Sequence, residues 1–547
     1  MKNIKSKYSV AKISALVLIA AGTTTFSSCK KWLEEKPQSS FSASTFFKSA
    51  DEATMAVLGA YEPASNNNTY GFYISLLYDI DSDIGQMQGL GFTNDARTVA
   101  HYGIGPSHPS LSAVWALLYK GVNNANLVIE KVPQMDLYKT GTDADRANLN
   151  RILGEAKFLR GFYYSELVRL FGDVPFTLKS TEASDDLKIK QTDRYVIYDQ
   201  VIKDLTEASN LLPWTKESNE RVAKGAAKAL LARVALFAGG YSLRQSKQME
   251  RPTNYKDYYA IAQKQTKEIM DSGYHSLNPS YEQIFRNQCK LTVEPKECMF
   301  EISMYNATGN LTNSGIIGTW NAPLADQGNP YGRANSFYKT TALFQKSYKT
   351  GDLRRDVAVA TYKIDVTGAQ VQLTGTNDAT WSPGKWRRDW QIPPAKDLNN
   401  TDINWVVLRY ADVLLMRAEA ENEMNEGPNA EAYNAVNMVR RRGFGKPLGV
   451  VDATVDLAAG MNKQMFLAAL QQERAWELCF EGMRKADLIR WNMLGSSLRA
   501  TEKALKTYRS NYPYQAGTNF VDNKFELFPI PQSEFEVNPN LKQNPNY

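Results

Sequence analysis

The sequence predicts an all-α fold of paired helices, stacked hairpin on hairpin, with loop-rich insertions and minor short strands. Three observations predict it. Apolar residues recur at helical spacing over long stretches in both halves of the chain. Those stretches come in pairs, separated by short polar breaks that hold Gly or Pro. Between residues 274 and 400 the helical period gives way to Asn-, Gly-, Pro- and Thr-rich sequence with short alternating runs. The tetratricopeptide consensus is not strictly obeyed, so the expectation is a TPR-like stack, with helices over about 111–273 and 404–491. At 547 residues, 43% hydrophobic and 22% charged, the chain can bury a core.

The first 28 residues read as an address. Lys2, Lys5, Lys7 and Lys12 precede an apolar run, Ile13 to Gly22. A membrane span needs roughly 20 apolar residues, so this run is too short for one. Small polar residues follow, then Phe26-Ser27-Ser28-Cys29. The segment resembles a bacterial lipoprotein signal, in which Cys29 becomes the lipidated first residue. Phe26 and Ser28 depart from the usual preference for an aliphatic residue and a Gly or Ala. An ordinary signal peptide with an incidental cysteine is the alternative. Residues 29–45 then form a polar tether, and 46–547 a single domain.

Within that domain, Thr45 to Tyr61 carries an apolar face, and 62–110 is loop-rich. Leu111 to Lys131 is a helix ended by Pro133. Leu149 to Phe171 is another, stopped by Gly172 and Pro175. Tyr195 to Leu212, the Ala-rich Val222 to Phe237, and Tyr255 to Met270 continue the series. After the insertion, helices are expected at Trp405 to Glu423, Ala430 to Arg442 and Met465 to Phe480, and coil over 512–547.

Reaction chemistry is sparse. The chain has three His, with no His-x-x-x-His pair, and no zinc spacing among its cysteines. No Gly-x-Ser-x-Gly elbow and no phosphate loop occurs. Asp79, Asp81 and Asp83 alternate as in a calcium loop, but Ile84 stands where glycine is needed. A solvated acidic loop is the simpler reading, and neither a metal nor a cofactor is expected. Glu473 and Glu477 flank Arg474 at spacings that allow intrahelical pairs. Cys289 and Cys298 lie nine apart, which an exported protein permits to be a disulfide; Cys479 reads as a free core thiol. The net charge is +6, four lysines of it in the leader, which argues against a nucleic-acid binder.

Five segments in order resemble the SusD/RagB family of Bacteroidetes surface lipoproteins. They are Cys29 to Leu33 with Phe46-Phe47 and Gly59-Ala60-Tyr61; Gly154 to Tyr164 running to Phe171-Gly172-Asp173-Val174-Pro175; and Arg409 to Ala420. The fourth is Glu473-Arg474, Glu477-Leu478, Phe480-Glu481-Gly482, Arg484 and Asp487 to Trp491. The last is Pro529-Ile530-Pro531 with Asn538 to Pro545. Physical chemistry gives these motifs structural roles. Arg160 and Arg409 are expected to fix helix packing, Gly172 and Gly482 to stop helices, and Asp487 to pair with Arg490. The resemblance implies a SusD-like, TPR-like scaffold whose partner is a TonB-dependent outer-membrane transporter of the SusC kind.

It also implies a non-catalytic protein, lipid-anchored at the outer membrane and exposed on the cell surface, that binds an oligosaccharide. A sugar ring offers an apolar face to an aromatic side chain and hydroxyls to polar ones. The residue types occur in the loop-rich stretches where the family places ligand contacts: Phe92, Asn94, Arg97 and Tyr102 in one, Trp320 and Tyr331 in the other. Each of these aromatics is alternatively a loop-packing anchor. Other readings are a peptide-binding protein, a scaffold for the transporter without glycan affinity, and a surface glycoside hydrolase.

Overall fold

The computed structural model describes residues 46–216, 218–305 and 313–547. The signal segment, Cys29 and the tether therefore lie outside the described residues.

Local sequence sets the helix ends. Helix α1, Ala50–Ser65, begins at Ser49, whose hydroxyl accepts from the Glu52 amide while Glu52 caps back. That box moves the expected start from Thr45 to Ala50. Helix α2, Pro109–Lys131, has proline in its first turn, where a missing N–H costs nothing. Helix α3, Asp143–Phe171, opens on a second capping box, Thr142 with Asp145. It ends at Gly172, φ +76°. A Cβ there would lie 2.5 Å from the Arg194 guanidinium, so both the turn and the neighbour require glycine. Helices α4 (Arg194–Leu211), α5 (Lys224–Ala238) and α6 (Tyr255–Ser272) follow.

These helices stack in sequence order, α1 on α2 and so on to α6. Small residues let the axes approach. Gly121 on α2 meets Tyr163 on α3 so closely that a Cβ would fall 2.3 Å from the ring. The alanines of α5 are buried for the same reason. Helix α7, Tyr410–Met424, then packs directly on α6, although the loop-rich insertion separates them in sequence. Helices α8 (Ala430–Gly443) and α9 (Lys463–Leu478) both pack on α7. The scaffold is all-helical and TPR-like, as the periodicity predicts.

Several expectations are corrected. Trp405 to Arg409 is a strand, with the helix starting at Tyr410. The apolar run Trp-Val-Val-Leu fits a doubly buried strand as well as a helix, and β-branched Val406 and Val407 favour the strand. Helix α10, Leu494–Tyr508, and the short helix Arg484–Arg490 were not expected. The C-terminal coil contains the short helices Ala516–Asn519 and Gln532–Val537.

Every sheet among the described residues is a two-stranded antiparallel pair. Two matter here. Strand β1 (Gly85–Met87) pairs with β3 (Tyr338–Thr340), and β2 (Cys298–Ile302) with β4 (Trp405–Arg409). Cys289 and Cys298 are not joined: both are separate buried thiols, as is Cys479. The Cys298 Sγ accepts from the Gln288 amide, and burial pushes the Cys289 thiol up to about 12.

The charged motif residues form a buried ionic network. Arg409 grips both oxygens of Glu481 at 2.8 and 2.9 Å and reaches Glu297 at 2.7 Å. Arg442 joins Glu297 to Glu477 at 2.8 and 2.6 Å. Arg354 joins Asp352 to Glu473, which also holds Arg440 at 2.6 Å. Glu473 and Glu477 thus pair between elements, not within their helix. Arg474 turns instead to Asp412 and Asp487, and Asp487 pairs with Arg490 at 2.8 Å. Burial favours a neutral Glu477, but Arg442, Arg409 and Arg354 outweigh it and hold the carboxyl down to about 2. Arg160 makes its own fork on Asp204, at 2.8 and 2.7 Å.

Candidate functional site

The β1–β3 pair brings the two loop-rich stretches together. Met87 lies opposite Tyr338, and the Gln88 amide donates to the Phe337 carbonyl at 2.7 Å. The loop from residue 88 to 97 leaves one strand, and Phe337 immediately precedes the other. The Tyr338 amide donates to the Trp320 carbonyl at 2.9 Å, which pins the second stretch beside the first.

An aromatic group gathers at this junction. The Trp320 ring lies 4.5 Å from Phe72 and 4.6 Å from Phe337, inclined at 62° and 59°. Tyr73 follows, 5.2 Å from Phe72. All four are half-buried, so each rests on the protein while keeping some surface open. Burial, then the Asp95 carboxylate, raises the Tyr73 phenol above its ordinary range, so it stays protonated and can donate.

Polar side chains stand along the 88–97 loop. Asn94 caps the short helix Asp95–Ala100 by accepting from the Arg97 amide at 2.9 Å. Arg97 donates to the Gln88 carbonyl at 2.9 Å and to the Thr93 hydroxyl at 2.6 Å. Gly89, φ +92°, leaves no room for a Cβ beneath that guanidinium, which would sit 2.4 Å away. No carboxylate neutralises Arg97 among the contacts it makes here. Phe92 lies over Gly103 and is 52% exposed.

Two of the expected ligand contacts fall elsewhere. Tyr102 is only 3% exposed. Its hydroxyl donates to the Asp81 carbonyl at 2.7 Å, and its ring packs edge-on against Phe520. Tyr102 is thus a loop anchor and has no open face for a ligand. Tyr331 packs on a small apolar cluster of the insertion built from Ala322, Ala325, Ala334, Ala360, Tyr362 and Ile364. Phe72, Tyr73 and Phe337 are the members that sequence reasoning missed. Phe72-Tyr73 sits inside the loop-rich stretch already singled out, but only the strand pairing shows its neighbour.

The alternating aspartates are not a solvated loop. Asp79 is buried and meets Arg169 at 3.2 Å; Asp81 meets His101 Nδ1 at 2.7 Å; Asp83 meets Arg484 at 2.6 Å. Each carboxylate has its own basic partner. Burial alone lowers the His101 pKa, but the Asp81 carboxylate more than offsets it, so the imidazole titrates above its usual range.

The model described as "SusD family" matches residues 296–547, and the one described as "Starch-binding associating with outer membrane" matches residues 31–236. The crystal structure of a SusD homolog from Bacteroides thetaiotaomicron is 31% identical, with a TM-score of 0.85 over 92% of this chain and 98% of that one. The chain belongs to the SusD/RagB family. SusD-like protein P25 of Formosa agariphila is 26% identical over 94% of this chain and 95% of its own length. Surface glycan-binding protein A from Bacteroides fluxus shares the fold at 20% identity, with a TM-score of 0.70 over 91% and 100% of the two chains. In this SusD-family chain the buried ionic network belongs to the scaffold. The aromatic junction is built from its loops.

Proposed function

We propose that this protein is a non-catalytic, cell-surface lipoprotein that captures an oligosaccharide and passes it to a SusC-like TonB-dependent transporter. The observation that carries this reading is the half-buried group Phe72–Trp320–Phe337 beside Gln88, Thr93, Asn94 and Arg97. Such a surface offers π-faces to sugar C–H groups and donors and acceptors to hydroxyls. A family model described as starch-binding and outer-membrane-associated supports it, as does a fold relative described as glycan-binding. The acidic residues of the sequence motifs are paired with arginines, which suits binding without reaction. Residues 1–28 would direct export and Cys29 would carry the acyl chains, leaving 46–547 as one ligand-binding domain outside the cell.

Calorimetry of the mature protein against a panel of neutral glycans tests this. Binding of at least one glycan, lost in Trp320→Ala, is the expected result. Unchanged affinity in that variant moves the site away from the junction. Release of new reducing ends from the glycan makes the protein an enzyme and ends the reading.

A further inference from the structure

The buried arginines of the network follow a rule. Arg354, Arg409, Arg440, Arg442, Arg474 and Arg490 each touch at least one carboxylate. Arg388 does not. Its side chain is buried completely, at 0% exposure, yet every acceptor it reaches is neutral. These are Gln391 Oε1 at 3.1 Å, Thr319 Oγ1 at 2.8 Å, and the Leu398 and Asn399 carbonyls at 3.2 and 2.9 Å. Its Nε has no partner among the described residues, and neither has the Nε2 of Gln391. Burial presses the Arg388 pKa down to about 10, although Asp397 pulls the other way. Arg387 next to it also lacks a carboxylate, but Arg387 is spent on the Gly384 and Val357 carbonyls and stacks on Trp390.

Arg388 lines a groove of about 600 Å³ in the insertion, shaped by residues 289–291 and 388–402. None of Phe72, Arg97, Trp320 or Phe337 lines it. Gln391 lies in the same wall, and exposed Lys290 and Lys396 stand on the rim. Asp397 and Asp402 line it too, and Asp397 Oδ1 accepts from the Asn399 and Asn400 amides at 2.8 and 2.7 Å, which fixes that carboxylate against its own loop. Ile392, 67% exposed, and Leu291 add apolar surface. A buried cation bonded only to neutral acceptors is costly, and a ligand oxyanion is the chemistry that relieves it.

We propose that this groove is a second saccharide site that takes the oxyanion of an acidic sugar, a carboxylate or a sulfate ester, over Arg388 and Gln391 with Lys290 and Lys396 at its rim. The choice of a saccharide rests on the function proposed above; the choice of an anion does not. The anion supplies the missing partner of the guanidinium, and the sugar ring lies against Ile392 and Leu291.

The test is calorimetry with oligogalacturonate, a sulfated carrageenan oligosaccharide and neutral laminarihexaose, at low and high salt. The proteins are the mature wild type, Trp320→Ala, Lys396→Glu and Arg388→Gln. The expected result is that at least one acidic saccharide still binds Trp320→Ala, more weakly in high salt. Lys396→Glu then loses about tenfold in that affinity, and a folded Arg388→Gln loses at least as much. The two acidic ligands separate carboxylate from sulfate. Lys396 is a surface residue, so its variant keeps the test alive if Arg388→Gln does not fold. Failure of both acidic saccharides to bind, or their equal binding to Lys396→Glu and wild type, overturns the proposal. If laminarihexaose alone fails to bind, the aromatic junction is at fault and the groove stands.

Discussion

Two regions of this molecule use arginine in opposite ways. In the network behind α7, α8 and α9, the guanidinium groups of Arg354, Arg409 and Arg442 are buried against the carboxylates of Glu297, Glu473, Glu477 and Glu481. At the aromatic junction, Arg97 holds a carbonyl and a hydroxyl and stays partly open to solvent. The first arrangement sets each guanidinium against carboxylates, so no charge is left over for a ligand. The second leaves donor capacity beside open rings. Saturation marks a scaffold, and incomplete saturation marks a surface that is finished by something else.

The sharpest way to break this contrast is to unbalance the network. Glu477→Ala strands Arg442 and Arg409 without one of their counter-ions. Removing one partner of a buried pair costs about 3–5 kcal/mol, which a urea denaturation midpoint reads directly. A midpoint close to that of the wild type would show that the network is not what holds α8 and α9 in place.

Acid attacks the same region. Glu477 titrates near 4.5 when unpaired and at about 2 in the fold. Its contribution is therefore complete above 4.5 and drains away as the pH falls towards 2. Thermal melts between those values are expected to lose stability steadily in the wild type and less in Glu477→Gln.

At the junction the balance reverses. Trp320→Ala is expected to lower glycan affinity by a factor of at least ten while costing stability only about 1–2 kcal/mol, because the ring is half-buried. Calorimetry and a melting curve on the same sample compare the two effects. A larger loss of stability than in Glu477→Ala would make Trp320 a scaffold residue.

Beneath the junction, the raised pKa of His101 has the opposite sign to that of Glu477. The His101–Asp81 pair contributes fully below the ordinary histidine value of 6.5 and fades as the pH rises through the higher folded value. The stability difference between the wild type and His101→Asn should therefore shrink as the pH rises above 6.5, as read by melting temperature. Phe92→Ala should do least. Its ring is mostly in solvent, so stability stays within about 0.5 kcal/mol, and any loss of affinity in calorimetry is smaller than that of Trp320→Ala.

The helical scaffold was readable because its signals are local. Periodicity, the stop at Gly172 and the alanines of α5 all lie within single segments. The fork of Arg160 and the pairing of Asp487 with Arg490 follow from side-chain shape and one turn of helix. The strand at Trp405 was missed because a short apolar run has no period to separate strand from helix. Glu473 and Glu477 misled for a related reason: their spacing from Arg474 permits an intrahelical pair, but the arginines that claim them come from α8, the insertion and β4. At the junction, residue types located the 88–97 loop and Trp320. The addition of Phe72 and Phe337 needed the tertiary meeting of the two stretches at β1–β3, and the removal of Tyr102 needed its burial against Asp81 and Phe520; no local pattern contains either.

The direct contact of α6 with α7 has a further consequence. The long excursion between them leaves and re-enters the stack at neighbouring points, closed at its base by β2 against β4. Its outer loops can therefore be lengthened or shortened while the helices on either side keep their seats, provided Arg354, with its partner Asp352, and Lys385 stay to meet Glu473, Glu477 and Glu481, since closing a longer loop adds little entropy cost. A chassis of this kind lets exposed loops vary as a cassette while a few buried ion pairs keep the frame beneath them fixed.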